Sequence, residues 1–479
     1  MRLAYDTLAG LPATVERPQR SAPPPVGIVH FGPGAFHRAH QAAYIDRLLG
    51  DDPRWGIAAV SLRSRGTVDA LAAQQGLYTL AIRDAEPSRR VMGAHGAFLG
   101  PAEANETLAL LAAPATRLVT TTVTEKGYCL SPDGTLDMAH PDIVRDLTRE
   151  LHPISVVGWI VAGLASRRAS GTAPFVAMPC DNLADNGAKL KSALVAYARA
   201  RDTGLADWIA DEVRVPATMV DSITPASDDA LIADVAQALG VRDAVPVQRE
   251  AFAQWVIEDI GATGQPGPDL GAVGAIVTND VAAFERAKLR ILNGAHSTLA
   301  YAGLLRGRVS VAEAIGDAEL AGFISAMIHE EVIPTLPPLP GLDLGAYAAA
   351  VLKRFANPAI IHRLDQIAQD GTQKLPYRLG DTLIARRRAG AGPGRVAAAL
   401  GLWVAFVIGR SRAGVAIIDP LGTPLAEAAH DADPCTLVAR LADRGIVFSP
   451  ELARDEPVMA SVVSAAGAAL AGQWPEVIG

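Results

Sequence analysis

The chain has only three cysteines in 479 residues: Cys129, Cys180 and Cys435. They lie far apart, form no CxxC pair and offer no disulfide framework, which points to a reducing cytoplasm. A basic excess is also missing. Lys and Arg number 43 against 51 Asp and Glu, a net charge of −8, so the footprint of a general nucleic-acid binder is absent. A small anionic substrate stays admissible, because a local basic pocket can sit on an acidic protein. No apolar run reaches the ~20 residues that span a bilayer. The longest, Val396 to Gly409, is bracketed by Arg395 and Arg410 and reads as a buried core helix. The opening MRLAYDTLAGLPATVERP lacks an apolar h-region, so no signal peptide is expected. There is no internal repeat and no long low-complexity tract. Nucleic acid and membrane are thereby set aside as partners, and the oligomeric state is left open.

What is present is core. Half of the residues are apolar and a fifth are charged, a composition that folds and can fill two or three domains at roughly 150 residues each. GIVHFG (27–32), WGIAAVSL (55–62), LYTLAI (77–82), RLVTTT (117–122) and PFVAMPC (174–180) read as strands; SVVGWIV (155–161) reads as a strand or the start of a helix. Helical segments are expected at 41–49 and 67–75. This alternation predicts an α/β domain with parallel strands. After about Thr278 the period changes. Segments 281–305, 311–332, 345–355, 358–370, 394–409 and 434–443 carry helical spacing and much alanine. The loop 261–271 is the expected boundary region, with a strand near 273–277 after it. The expected organisation is an α/β domain over 1–277 and a mainly α-helical domain over 278–479.

In HFGPGAFH, Gly32 and Gly34 give GxG directly after a strand, followed by Ala35 and Phe36. Glycine there permits a tight turn and lets backbone N–H groups approach a pyrophosphate. The third position of GxGxxG is His37, so the fingerprint is incomplete. The acid that would hold the adenosine ribose is also missing: Arg63-Ser64-Arg65 follows the second strand. An acid there favours NAD, whereas an arginine such as Arg63 can take the 2′-phosphate of NADP. These residues leave the choice between NAD and NADP open.

The densest chemistry lies in FERAKLRILNGAHS, from Phe284 to Ser297. Oxidising a secondary alcohol needs a proton acceptor. Lysine at its ordinary pKa of ~10.4 is a poor one, but burial and a nearby positive charge lower that value, which makes Lys288 a candidate base. Asparagine amides suit an oxygen with developing negative charge, and histidine both donates to and accepts from hydroxyls. At about 100° per residue, Glu285, Lys288, Asn293 and His296 fall within one fan of a helix. Gly294 is costly inside a helix, and close approach of a ligand or of another backbone would explain it. Upstream, AMPCDNLADNG leaves a strand with Asp181, Asn182 and Asn186, and TEKGYC does so with Glu125. Asn182 is a candidate second oxyanion donor. Taken singly, each of these residues also reads as a surface cation, a cap or a turn.

With these strings assembled, from HFGPGAFHRAHQAAYID through TEKGY, CDNLADNG, MVDSITP and QWVIED to KLRILNGAHS and DGTQKLP, the chain resembles the mannitol dehydrogenase family of long-chain polyol dehydrogenases. The resemblance runs from about Val26 to residue 450. It implies a Rossmann-type dinucleotide-binding domain over 1–277 and a mainly α-helical substrate and catalytic domain over 278–479. The enzyme so implied is zinc-independent, with no catalytic metal, and acts on a polyol or sugar acid with a nicotinamide cofactor, NAD with NADP open. It gives Lys288 the role of base, Asn182 and Asn293 the reacting oxygen, and His296 substrate positioning. Glu285, Asp221 and Glu125 become supporting groups on the proton path, at the substrate and near the cofactor. Trp255 to Glu258 and Lys374 become parts of the substrate wall. Ser222 stands where relatives often carry arginine. Residues 354–379 look closer to the hexuronate reductases, which interconvert fructuronate and mannonate; Lys374, Arg378 or Arg363 could pair with a uronate carboxylate. The competing expectations are a mannitol 2-dehydrogenase and, in another class, a silent nucleotide-binding protein on the same fold. Intact Lys288, Asn293, Asn182 and His296 count against the latter.

Overall fold

A computed structural model describes residues 1–148, 152–261, 267–339, 341–360 and 362–478. Five of the eleven residues of the 261–271 loop therefore lie outside the described residues. The chain divides into two compact units, Met1–Ala282 and Ala283–Gly479.

The first unit carries eleven strands: β1 Val26–Phe31, β2 Gly56–Val60, β3 Tyr78–Ile82, β4 Ser88–Met92, β5 His95–Leu99, β6 Leu118–Thr121, β7 Val176–Pro179, β8 Thr218–Asp221, β9 Val247–Arg249, β10 Gln254–Glu258 and β11 Ile276–Thr278. The main sheet runs β5-β2-β1-β6-β7 and is parallel throughout. Its central strands are apolar on both faces, as a sheet covered on both sides requires: β2 is buried at every residue, and β1 at all but Val26. The chain leaves β1 for β2 and β5 on one side and returns to β6 and β7 on the other. The β1/β6 boundary is thus a topological switch point, where open α/β sheets place ligands. Two three-stranded sheets, β11-β10-β8 and β4-β3-β9, accompany it. Each contains an antiparallel pair, β8 with β10 and β3 with β4. The expectation of parallel strands thus describes the whole main sheet and the pairs β10–β11 and β3–β9, but not the two antiparallel pairs.

The segment 155–161 is not a strand. It begins a helix, Val156–Ser170, whose first turn is capped by Ser155 Oγ accepting from Gly158 N and whose end is closed by Gly171 in the left-handed region. Its β-branched run is buried on nearly all sides, so strand and buried helix share one composition and the caps decide between them.

The second unit is helical. Its longest helix, Gly394–Arg412, passes the length and hydropathy test for a membrane span, but 78% of that window is buried inside the unit. It packs against Glu456–Leu470 so closely that a Cβ on Gly401 would lie 2.6 Å from the Val462 carbonyl oxygen. Glu331 caps it, accepting from Arg395 N at 2.7 Å and Val396 N at 3.0 Å, a carboxylate at the positive end of the helix dipole. Three π-helical turns, Lys288–Asn293, Met327–Val332 and Pro376–Gly380, interrupt the α-helices. The first packs against each of the other two.

Candidate functional site

In the first unit, candidate groups gather at the carboxyl end of β1, β6 and β7. Gly32 has φ +92°, and a Cβ there would lie 2.2 Å from the Thr122 carbonyl oxygen. No side chain can occupy that position without moving the backbone. Gly34, by contrast, is exposed, and an added Cβ would meet nothing nearer than 3.9 Å. That open space lies at the start of the helix Ala35–Ala39, where a backbone cradle for a phosphate is expected. The residues present therefore suit a dinucleotide. Ala35 and Phe36 are half-buried, and Phe36 stacks on His40 with ring centroids 5.0 Å apart.

His37, in the place of the third glycine, stacks on His30 of β1 at 3.4 Å between centroids, and its Nε2 lies 3.1 Å from His95 Nε2 on β5. His30 in turn reaches Thr120 and Thr122. Burial pushes the His30 and His95 pKa values down to about 3 and that of His37 well below its usual range. Close packing of helix on sheet is met here by neutral imidazoles rather than by a glycine.

Asp181, just past β7, is a clamp. It accepts from Thr124 N at 2.7 Å, Val123 N at 3.1 Å and Tyr128 Oη at 2.6 Å. This holds Thr124 at φ +66°, a rare conformation for a β-branched residue. Asn186 is equally committed, bridging Thr218 N and O at 3.0 and 2.9 Å. Asn182 and Glu125, carried beside these fixed residues, are exposed. The Asp181 clamp left no local signal, because its partners are backbone amides 57 and 58 residues away.

Other expected groups stand elsewhere. Arg63 is exposed and paired with Asp142 at 3.0 Å; Arg65 is held by Asp69 and Glu103. Asp221 is buried at the end of β8, paired in register with Gln254. Glu258 is at the far end of the antiparallel partner β10, four residues or about 14 Å along the strand. Its carboxylate accepts from Ala217 N at 2.8 Å. It lines a cavity of about 370 Å³ with Arg117, Leu118 and Val176, at the amino end of β6 and β7. The structure does not bring Glu258 to the glycine turn. Trp255 is core, its ring edge-on to Tyr44 and His40, and Ser222 donates to the Phe252 carbonyl at 2.9 Å. Among the described residues, one group has metal-like spacing, Cys129, His140 and Asp142; its Asp142 is the partner of Arg63.

In the second unit, Lys288 to Asn293 form a π-turn, not the regular helix expected. Gly294 N reaches back to Leu289 O, five residues away. The wider turn changes the angular step, so Asn293 and His296 are rotated from the fan drawn at α-helical spacing. π-turns of this kind are frequent at functional sites. Gly294 has its explanation in a neighbouring backbone: a Cβ there would lie 2.9 Å from the Arg378 carbonyl oxygen, in another π-turn. Glu285, Lys288 and Asn293 are half-buried. His296 is buried, stacked on Phe355 at 5.1 Å and edge-on to His362 at 4.6 Å, and its Nε2 has no hydrogen-bond partner. Burial first, then His362, Arg378, Arg354 and Lys374, hold its pKa well below the usual value. Lys374 donates to the Gln369 carbonyl at 2.8 Å and pairs with Asp370 at 3.2 Å.

Comparison with known proteins decides the family. Residues 26–267 match the mannitol dehydrogenase Rossmann domain and residues 280–469 the mannitol dehydrogenase C-terminal domain. The chain belongs to the mannitol dehydrogenase family. It is 41% identical to the D-mannonate oxidoreductase of Escherichia coli K12, over 82% of this chain and 83% of that one. A mannitol 2-dehydrogenase of Phaeosphaeria nodorum is 38% identical over 84% of this chain and 72% of its own length. Among solved structures, the Pseudomonas fluorescens mannitol 2-dehydrogenase in ternary complex with NAD and D-mannitol matches with a TM-score of 0.82. It is 33% identical, over 99% of this chain and 100% of that one. The Rossmann-type and helical division of this mannitol dehydrogenase-family chain is therefore that of its relatives, and the chain is an oxidoreductase by family.

Proposed function

We propose that this protein is a cytoplasmic NAD-dependent oxidoreductase that interconverts the secondary alcohol of an aldonate or polyol with the corresponding ketone, with NADP admissible. The favoured pair is D-mannonate and D-fructuronate. When bound, the nicotinamide takes or returns the hydride. The chain supplies the rest. Gly32 and Gly34 admit the pyrophosphate to the end of β1, with Ala35, Phe36 and Glu125 beside it. Lys288 removes the hydroxyl proton, and Glu285 passes it onward. Asn293 and Asn182 hold the reacting oxygen as charge develops on it. His296, Asp221 and Lys374 position the substrate. No metal ion has a part in this scheme, and no nucleic acid or membrane is a partner. The division into a cofactor part over 1–277 and a substrate part over 278–479 belongs to the same proposal.

The observation that carries the reading is the π-turn Lys288–Asn293 with His296 behind it, in a chain 41% identical to a D-mannonate oxidoreductase. A second reading, D-mannitol and D-fructose, is supported by the structural match to a mannitol 2-dehydrogenase. Reductase rates with NADH and NADPH, each against D-fructuronate and D-fructose, separate the two. Lys288→Ala is expected to lower turnover about 1000-fold with NADH binding intact, and added primary amines to restore part of the rate. Near-normal turnover in that variant would remove Lys288 from the role of base.

A further inference from the structure

Three cations of the second unit are candidates for a substrate carboxylate, and the structure separates them. Arg363 is exposed and grips Asp365 with two hydrogen bonds of 3.0 and 2.7 Å. Lys374 is held by Asp370 at 3.2 Å and by the Gln369 carbonyl. Arg378 differs. Its side chain lies against the catalytic segment, donating from Nη1 to Ser297 Oγ at 2.8 Å, and its own carbonyl oxygen abuts Gly294. Among the described residues no carboxylate lies within 4.0 Å of its guanidinium. Asp370, the acid that acts on it at longer range, is already engaged with Lys374. Burial lowers the Arg378 pKa below its ordinary value, with Tyr301 and Asp370 opposing.

A half-buried guanidinium with no paired carboxylate among the described residues has capacity for an anion, and the neighbourhood adds further unmet groups. His296, next to Ser297, is more than nine-tenths buried with Nε2 unpartnered, and His362, edge-on to it, has Nδ1 unpartnered. The charged groups that lower the His296 pKa are Arg378, Arg354 and Lys374, the last of them paired with Asp370. A ligand with one carboxylate and several hydroxyls supplies what this pocket lacks: an anion for the guanidinium, and hydroxyls that donate to or accept from the two imidazoles.

We infer that Arg378 binds the carboxylate of the substrate, with the His296–His362 pair receiving adjacent hydroxyls. This makes the protein selective for sugar acids over neutral polyols. The inference rests on the dehydrogenase reading above and names its substrate class.

The test compares D-mannonate with D-mannitol, which differ by a carboxylate in place of a hydroxymethyl group. Wild type is expected to favour D-mannonate in kcat/KM by about 100-fold or more, the scale of a desolvated charge pair. Arg378→Gln should raise KM for D-mannonate by about 100-fold, with kcat within a few-fold and NADH affinity unchanged. Arg378→Lys should recover part of the loss, and Arg363→Gln should leave KM where it was. An unchanged D-mannonate to D-mannitol ratio in Arg378→Gln would overturn the assignment while leaving the dehydrogenase standing. If wild type turned over neither compound, the dehydrogenase reading would fail. Thermal stabilisation by D-mannonate then decides separately: present in wild type and lost in Arg378→Gln, it supports the carboxylate site; absent in wild type, it removes it.

Discussion

The two halves of the candidate machinery are built in opposite ways. At the end of β1, β6 and β7 the groups beside the glycine turn are partnered within the fold, although the Nδ1 atoms of His37 and His95 packed beneath it have no partner among the described residues. Asp181 takes two amides and a phenol, Asn186 bridges both sides of Thr218, and Thr122 Oγ1 donates to Gly32 O at 2.7 Å. Around the π-turn Lys288–Asn293, by contrast, among the described residues His296 and His362 have unpartnered ring nitrogens and Arg378 has no paired acid. The first region offers shape and backbone, with its unpartnered imidazole nitrogens buried in the core of the fold. The second holds cationic and hydrogen-bonding capacity that a ligand must complete. A cofactor common to many chemistries suits the first construction; a particular substrate suits the second, because unmet groups discriminate between ligands.

The comparison breaks most severely at Gly32. Alanine there must accept φ +92° and place a Cβ 2.2 Å from the Thr122 carbonyl oxygen. Backbone strain and overpacking together should cost about 3 kcal/mol or more. Urea unfolding is expected to show that loss, and NADH binding by fluorescence should fall with it. An alanine variant with unchanged stability would mean that the β1 and β6 ends are not held as tightly as their contacts indicate.

A smaller effect comes from the histidines beneath that turn. Their folded pKa values, about 3 for His30 and His95 and well below 6.5 for His37, lie under the unfolded value. The unfolded chain therefore binds more protons between pH 6.5 and 3. Their contribution to stability is complete above pH 6.5 and is lost as pH falls below it, with a slope of one proton for each histidine that stays neutral in the folded chain. His95→Gln should reduce the slope of stability against pH in that window by about one proton. A slope equal to that of wild type would show that His95 is charged in the folded protein.

How much of this was legible in sequence depended on the range of the interaction. Gly32 announced itself because a glycine after a buried strand has a local meaning, and Lys288, Asn293 and His296 because three candidate side chains fall within nine residues. The helix 434–443 was likewise readable, with Pro434 in its first turn and Asp433 capping Thr436 N. The Asp181 clamp and the Arg378 contact with Gly294 were not, since they join segments 57 and 84 residues apart with no periodic signal. The π-turn was hidden for another reason: its residues keep α-like angles, φ −60° and −63° at its two flanks, and only the packing of one turn on another fixes the register. His37 looked like a flaw in a glycine fingerprint until His30 and His95 were placed beside it. The antiparallel partners β4, β8 and β10 escaped because short strands of mixed polarity lack the continuous apolar run that marked the main sheet.

The least effect is expected at Arg63, and it sharpens the comparison from the other side. Arg63 follows β2, where an arginine can contact a 2′-phosphate, but its side chain is 81% exposed and its ion pair with Asp142 is a surface one. Such a pair contributes between nothing and about 1 kcal/mol, so Arg63→Ala should shift stability by about 0.5 kcal/mol or less. The informative quantity is the ratio of NADPH to NADH efficiency. If Arg63 is only a solvated loop cation, the ratio is unchanged and the first region recognises its cofactor through shape and backbone alone. If the ratio falls about tenfold, the loop after β2 also holds its charge for a ligand, and the contrast drawn between the two regions narrows to the glycine turn and its clamp.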